Sequence, residues 1–168
     1  MTHEDLLDIH ALQNLKFRYI RAVDTHDWDL MNTLFADDAS VWFANGAYSF
    51  TGRNRIMEFY RTLVGPSFIS NHVAVHPEIE LKGNGTATGV WRLVDTVHFL
   101  EDTPAVTHLA IKAGDQVNGA GYYYDEYVKT SGDWKIKSTG YVRIFEQHEP
   151  AAGRNAHLRA EPSMGRRL

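Results

Sequence analysis

Apolar residues recur along this chain at two different periods, and the change from one to the other divides it. From Glu4 to about Val23, the residues Leu12, Leu15, Tyr19 and Val23 recur at helical spacing and define one buried stripe. Phe17, Ile20 and Asp24 form a second stripe beside it, so an acid ends a line of apolar side chains. Thr25-His26-Asp27 breaks the pattern, and Asp27 is a good N-cap for a short helix holding Trp28, Met31, Leu34 and Phe35. Ser40–Phe43 reads as a strand, Asn45-Gly46 as a hairpin turn, and Tyr48–Thr51 as the returning strand. Gly52 opens another helix with Ile56, Phe59, Tyr60 and Leu63 on one side, which Gly65-Pro66 stops.

Beyond that point the period shortens to two. Ile69–Leu81, Thr86–Phe99, Ala120–Lys129 and Trp134–Phe145 are β-rich runs. Gly83-Asn84-Gly85 and Thr130-Ser131-Gly132-Asp133 are tight turns that make the strands they join antiparallel. Residues 100–119 either extend two strands or form a lid. Helices first and a meander of long strands afterwards predict an α+β domain, with helices on one face of a curved antiparallel sheet that encloses a pocket. This single domain takes in residues 1–148. The remaining 149–168, rich in Ala, Gly, Arg and Pro and without periodicity, read as a tail that is mobile or packed on a neighbouring subunit.

Composition narrows the class. The 168 residues are 43% apolar and 12% aromatic, enough for a substantial core. With no cysteine, disulfides, thiolate metal sites and a nucleophilic thiol are excluded, which suits a reducing compartment. A formal charge of −4 argues against nucleic acid as the main partner. No apolar run approaches the ~18 residues of a membrane span, and no signal-peptide core opens the chain. The expectation is a cytoplasmic protein with no membrane partner. No phosphate-binding glycine loop, Gly-x-Ser-x-Gly or His-Glu-x-x-His is present, which leaves acid–base chemistry.

The nine histidines are where that chemistry would reside. Strand alternation puts His72 and His76 on one face, opposite Val73 and Val75. A metal reading of this pair lacks a compact third ligand, so no metal is expected, and His76, next to Pro77, reads as a residue of a solvated rim. Tyr19-x4-Asp24, then Trp28 and Leu34-Phe35-Ala36-Asp37-Asp38-Ala39, resembles the opening of SnoaL-like proteins. More narrowly, it resembles their scytalone-dehydratase-like and bile-acid-dehydratase-like branch, within the cone-shaped superfamily named for nuclear transport factor two (NTF2-like). Ser70-Asn71-His72 starts a strand as in that branch, and Tyr123-Tyr124-Asp125-Glu126 with Thr130-Ser131-Gly132-Asp133-Trp134-Lys135-Ile136 matches its closing hairpin. The resemblance runs over roughly residues 5–147.

The resemblance implies that Asp24 orients His72, which abstracts a substrate proton. The chemistry is sound: a carboxylate accepting one imidazole N–H fixes the tautomer and stabilises the imidazolium formed. Tyr19, about 140° from Asp24 around an ideal helix, serves as acid or as hydrogen-bond donor if both reach one pocket; otherwise it is a core residue. Arg143 on the last strand would hold a carbonyl or a departing anion, as in related enzymes, or else lie on the surface. Trp28, Tyr60, Tyr141 and His98 are the expected pocket lining, with His108 a further residue near the mouth. The expected activity is a cofactor-independent lyase or isomerase of dehydratase type acting on a hydrophobic cyclic small molecule. A non-catalytic binder of an apolar ligand and a small structural subunit of a ring-hydroxylating oxygenase are the alternatives. The outer sheet face, carrying Trp, Tyr and Val, predicts a homo-oligomer, a dimer or trimer.

Overall fold

A computed structural model describes residues 1–102 and 110–151 of the chain. Helix α1 spans His3–Thr25 and starts with a capping box, in which the Thr2 hydroxyl accepts the Asp5 N–H and the Asp5 carboxylate accepts the Thr2 N–H. It ends at His26, whose φ of 54° is left-handed. Helix α2 (Trp28–Leu34) is capped by the Asp27 side chain as its sequence predicts. Strand β1 (Phe35–Phe43) begins five residues earlier than the alternation suggested, because Phe35 already has extended backbone. Strand β2 (Tyr48–Thr51) returns after the turn at residues 44–46.

Helix α3 (Arg53–Phe59) continues through a π-turn, Tyr60–Val64, into a last short turn, α4 (Gly65–Ser67). Gly65-Pro66 was expected to stop this helix. Instead Gly65 donates its N–H to the Tyr60 carbonyl, the wide hydrogen bond of a π-bulge, and the chain turns extended only at Phe68.

Four long strands follow: β3 (Phe68–Gly83), β4 (Thr86–Phe99), β5 (Gln116–Thr130) and β6 (Asp133–Glu149). They form one six-stranded sheet in the order β2-β1-β6-β5-β4-β3. The sheet is mixed rather than wholly antiparallel, because β1 lies parallel to β6 while every other pair is antiparallel. That pairing joins segments nearly a hundred residues apart, which no local turn signal can announce. β5 does extend into residues 100–119, where Gln116 pairs with His98, while β4 ends at Phe99 as expected; β6 runs four residues past its expected end. The lid alternative for residues 103–109, His108 and the tail from 152 onward lie outside the described residues. Among the described residues no helix is long and apolar enough to cross a membrane.

Helix α1 lies against the inner face of the sheet. Its buried residues include Leu12, Leu15, Tyr19 and Val23, as the periodicity requires, and also Lys16, which is wholly buried. The second stripe is shallower, since Phe17 stays half exposed beside Trp91. Lys16 Nζ lies 2.8 Å from Asp125 Oδ2, and the same carboxylate accepts hydroxyl hydrogen bonds from Tyr127 and Thr139. Burial pushes the Lys16 ammonium down from its ordinary value, against the pull of Asp125.

At the other end of the sheet Asp115 joins two segments. It accepts the backbone N–H groups of Lys112 and Ala151 and pairs with the His148 ring at 2.8 Å. Burial alone would raise the Asp115 carboxyl, but these donors outweigh it and hold it below the ordinary value. A carboxyl lowered on folding stabilises the native state above its unfolded pKa, and the contribution disappears as pH falls through the lowered native value. Asp115→Asn should therefore cost about 1–3 kcal/mol at pH 7 in urea unfolding, and should flatten the loss of stability that the parent shows below about pH 4. An unchanged acid limb would show that this junction carries no stability.

Candidate active site

The last turn of α1 holds an acid where the helix dipole disfavours one, and no basic residue accompanies it. Its partners come from β3. Asp24 Oδ1 accepts the Ser70 hydroxyl at 2.8 Å and the His72 Nδ1–H at 2.6 Å, while Oδ2 accepts the His72 backbone N–H at 2.9 Å. Three donors thus fix the carboxylate, and a carboxylate that only accepts fixes the imidazole with its proton on Nδ1. The His72 side chain is 11% exposed, and it faces a cavity of about 300 Å³ between the helices and the sheet.

Tyr19, Tyr60, Tyr123, Tyr141 and Arg143 line the same cavity among apolar residues from both layers. The hydroxyls of Tyr19 and Tyr60 are 2.9 Å apart, so the π-turn that begins at Tyr60 delivers a second phenol onto the first. Burial raises both phenols, so they are neutral hydrogen-bond donors at physiological pH.

Two of the expected lining residues do not reach the cavity. Trp28 packs outside it, stacked on His26 and leaning against Tyr60. His98 lies between Val97 and Phe99, which both line the cavity, and strand alternation turns His98 away. His76 lies on the rim, as its place next to Pro77 suggested, and the cause is a bulge. It is an extra residue in β3, with φ of 50°, where Val75 pairs with Arg92 but Glu78 already pairs with Val90. The bulge leaves His76 exposed on the rim and passes the inward positions to Ile79 and Leu81.

Two similar bulges arrange β6. The register slips by one residue at Lys137 and again at Ile144. Trp134 and Ile136 therefore share the inner face with Thr139, Tyr141 and Arg143, which strict alternation would put on the opposite side. The second slip turns Glu146 inward as well. Arg143 pairs through Nη2 with Asp95 and through Nε with Glu146 at 3.3 Å, while Nη1 is buried without a hydrogen-bond partner among the described residues. Burial opposes the guanidinium charge, yet Tyr141, Asp95 and Glu146 together hold its pKa above the ordinary value.

Residues 4–140 match the SnoaL-like domain. The chain belongs to the SnoaL-like family. Among solved structures, the fold is similar to that of hexachlorocyclohexane dehydrochlorinase LinA-type3 from Novosphingobium barchaimii LL02. That match has a TM-score of 0.75 and 16% identity, over 92% of this chain and 97% of the other. A candidate scytalone dehydratase from Novosphingobium aromaticivorans matches with a TM-score of 0.69 and 21% identity over 99% of both chains. An NTF2-like superfamily protein from Salmonella enterica serovar Typhimurium matches with a TM-score of 0.63 and 20% identity, over 79% of this chain and 87% of the other. At these identities the likeness is one of fold.

Sequence reasoning missed Asp95 and Glu146 in this SnoaL-like cavity. Asp95 had a signal: it stands at the apolar phase of β4, in line with Ala87, Trp91, Leu93 and Val97. Glu146 had none, because alternation places it opposite Arg143. Gly119, across from Asp95, makes room for the ion pair: a Cβ there would fall 1.7 Å from Arg143 Nη1 and 3.0 Å from Asp95 Oδ1. Gly119→Ala should push the guanidinium away and leave Asp95 buried without its partner, costing about 1–3 kcal/mol in urea unfolding. In an Asp95→Asn background the same change should cost markedly less, because the charge it orphans is gone. Equal costs in both backgrounds would show that Gly119 does not act through this pair.

Proposed function

We propose that this SnoaL-like protein is a cofactor-independent lyase or isomerase of dehydratase type, acting on a hydrophobic cyclic small molecule. The observation that carries the reading is the 2.6 Å hydrogen bond from His72 to Asp24 on the wall of an aromatic cavity. With Nδ1 donating to Asp24, Nε2 keeps a lone pair and serves as the base. It takes a proton from a substrate carbon, that electron pair forms the new C=C bond, and the adjacent C–O bond breaks. Tyr19, backed by Tyr60, gives a proton to the departing oxygen, so water leaves. The imidazolium then returns a proton to the phenolate, restoring both groups. Asp24 stabilises the transient imidazolium, and Arg143 holds a carbonyl as negative charge develops on it.

Two relatives in fold carry names that fit this class, one a dehydrochlorinase and one a candidate scytalone dehydratase; both names denote eliminations. The test uses cyclic hydroxy ketones with an acidic C–H one bond from the hydroxyl, followed by the absorbance of the conjugated product. His72→Ala should abolish turnover. Asp24→Asn should retain substrate binding and lose at least 10²-fold in kcat, because its amide cannot stabilise the imidazolium. Both variants remaining within about threefold of the parent would remove the dyad from the mechanism and leave the binder reading.

We also propose a homo-oligomer. Val73, Val94, Tyr124, Val142 and Ile144 are exposed along the sheet, away from the core, and form an apolar strip that water covers poorly. Sedimentation at micromolar concentration should give a dimer or trimer, and only monomer would overturn the claim.

A further inference from the structure

Strand β3 is the last in the sheet, so the side of its backbone turned away from β4 has no neighbouring strand. Asp24 takes the place of the missing strand there. Its Oδ2 accepts the His72 backbone N–H, and its Oδ1 accepts two further hydrogen bonds from the same strand. Ser70 and His72 stand two positions apart, so their side chains rise from one face of β3 and reach one oxygen.

Sharing that oxygen has a chemical consequence. Asp24 Oδ1 holds the His72 Nδ1–H at 2.6 Å and the Ser70 hydroxyl at 2.8 Å, which engages both of its lone pairs. Geometry alone does not need the serine, because the two His72 donors already fix the plane of the carboxylate. What the hydroxyl changes is charge. A donor on a carboxylate oxygen stabilises the anion and leaves less negative charge for the proton on the neighbouring ring. The side chains of His72 and Asp24 are only 11% and 20% exposed, so solvent screens this competition in part.

We propose that Ser70 is a positioning residue of the dyad, whose hydroxyl takes a share of the Asp24 Oδ1 charge and so limits how tightly His72 holds a proton. Its purpose rests on the elimination reading. A base that must pass its proton on, as the imidazolium does to the Tyr19 phenolate, is slowed by an acid partner that binds the imidazolium too well. The competition for Oδ1 exists whether or not a substrate is turned over. The other groups around the imidazole are untouched by a change at Ser70. His26 follows Asp24 at the end of α1, Asp95 stands opposite His72 on β4, and Arg143 and Glu146 come from β6. The phenols of Tyr19, Tyr60, Tyr123 and Tyr141 line the same cavity.

The test is the proton titration of His72 in the free protein, followed by NMR on histidine-labelled samples and assigned by the signal lost in His72→Gln. Ser70→Ala should raise the proton affinity of His72 at least twofold, a titration midpoint moved up by about 0.3 unit or more, and should carry the Nδ1 proton resonance downfield. Ser70→Thr, which keeps the hydroxyl, should stay with the parent. Ser70→Cys, a weak donor of nearly the same shape, should fall between them. An unchanged midpoint in Ser70→Ala overturns the proposal. So does a midpoint that falls, since the serine would then only hold Asp24 in place. Should Ser70→Ala not fold, Ser70→Cys decides by the same criterion. No substrate enters this measurement, so its failure removes the role of Ser70 and leaves the elimination standing, while a failed elimination leaves the titration standing. Where cyclic hydroxy ketones are turned over, Ser70→Ala should lose more kcat/KM on the acid limb of its pH profile than on the plateau, by the factor the midpoint shift gives. An equal loss on both also overturns the proposal.

Discussion

A buried ion pair sets the rotation of the long helix on the sheet, and the site follows from that rotation. Lys16 has no exposure, and its ammonium can be stable there only against Asp125. Removing either partner from such a pair costs about 3–5 kcal/mol, because the other charge is left in the interior. The pair is cross-braced. Tyr127 and Thr139 donate to Asp125, Trp91 donates to the Tyr127 hydroxyl, and the Tyr123 ring lies 3.6 Å from the Lys16 ammonium. With Lys16 turned inward, Tyr19 one turn later must enter the cavity, and Asp24, two turns later, must face β3.

The same pair separates two kinds of polar interior. Behind Tyr123 the charges of Lys16 and Asp125 are paired, dry and structural. Around the cavity they are unequal in number, with Asp24, Asp95 and Glu146 against the Arg143 guanidinium. Buried tyrosines supply donors without adding charge. The cavity wall therefore brings together one imidazole, neutral phenols and a single guanidinium held by carboxylates.

Membership of the SnoaL-like family establishes what encloses the cavity, and the side chains determine what happens inside it. The backbone places a helix end beside the edge strand β3, so that an acid in the last turn of α1 meets a histidine near the start of β3. The proposed elimination depends on Asp24, His72, the two phenols and Arg143 being the residues at those positions. The outer face, with its exposed valines and Tyr124, is free of that chemistry and available for association.

The sequence by itself determined the order of elements, the buried stripe of α1, the Asp27 cap and the two glycine turns, because each depends on neighbours a few residues apart. The resemblance carried by Tyr19, Asp24 and His72 also identified the dyad before any contact was visible. Tertiary structure decided what local periodicity cannot express. The parallel pairing of β1 with β6 joins distant segments, and the burial of Lys16 depends on an acid more than a hundred residues away. Most of all, the bulges at His76, Lys137 and Ile144 reset which side chains face inward. A strand read from sequence alternates without interruption, which puts His76 on the face of His72 and Glu146 opposite Arg143. One inserted residue reverses each assignment, and only the register of the neighbouring strand reveals where it lies.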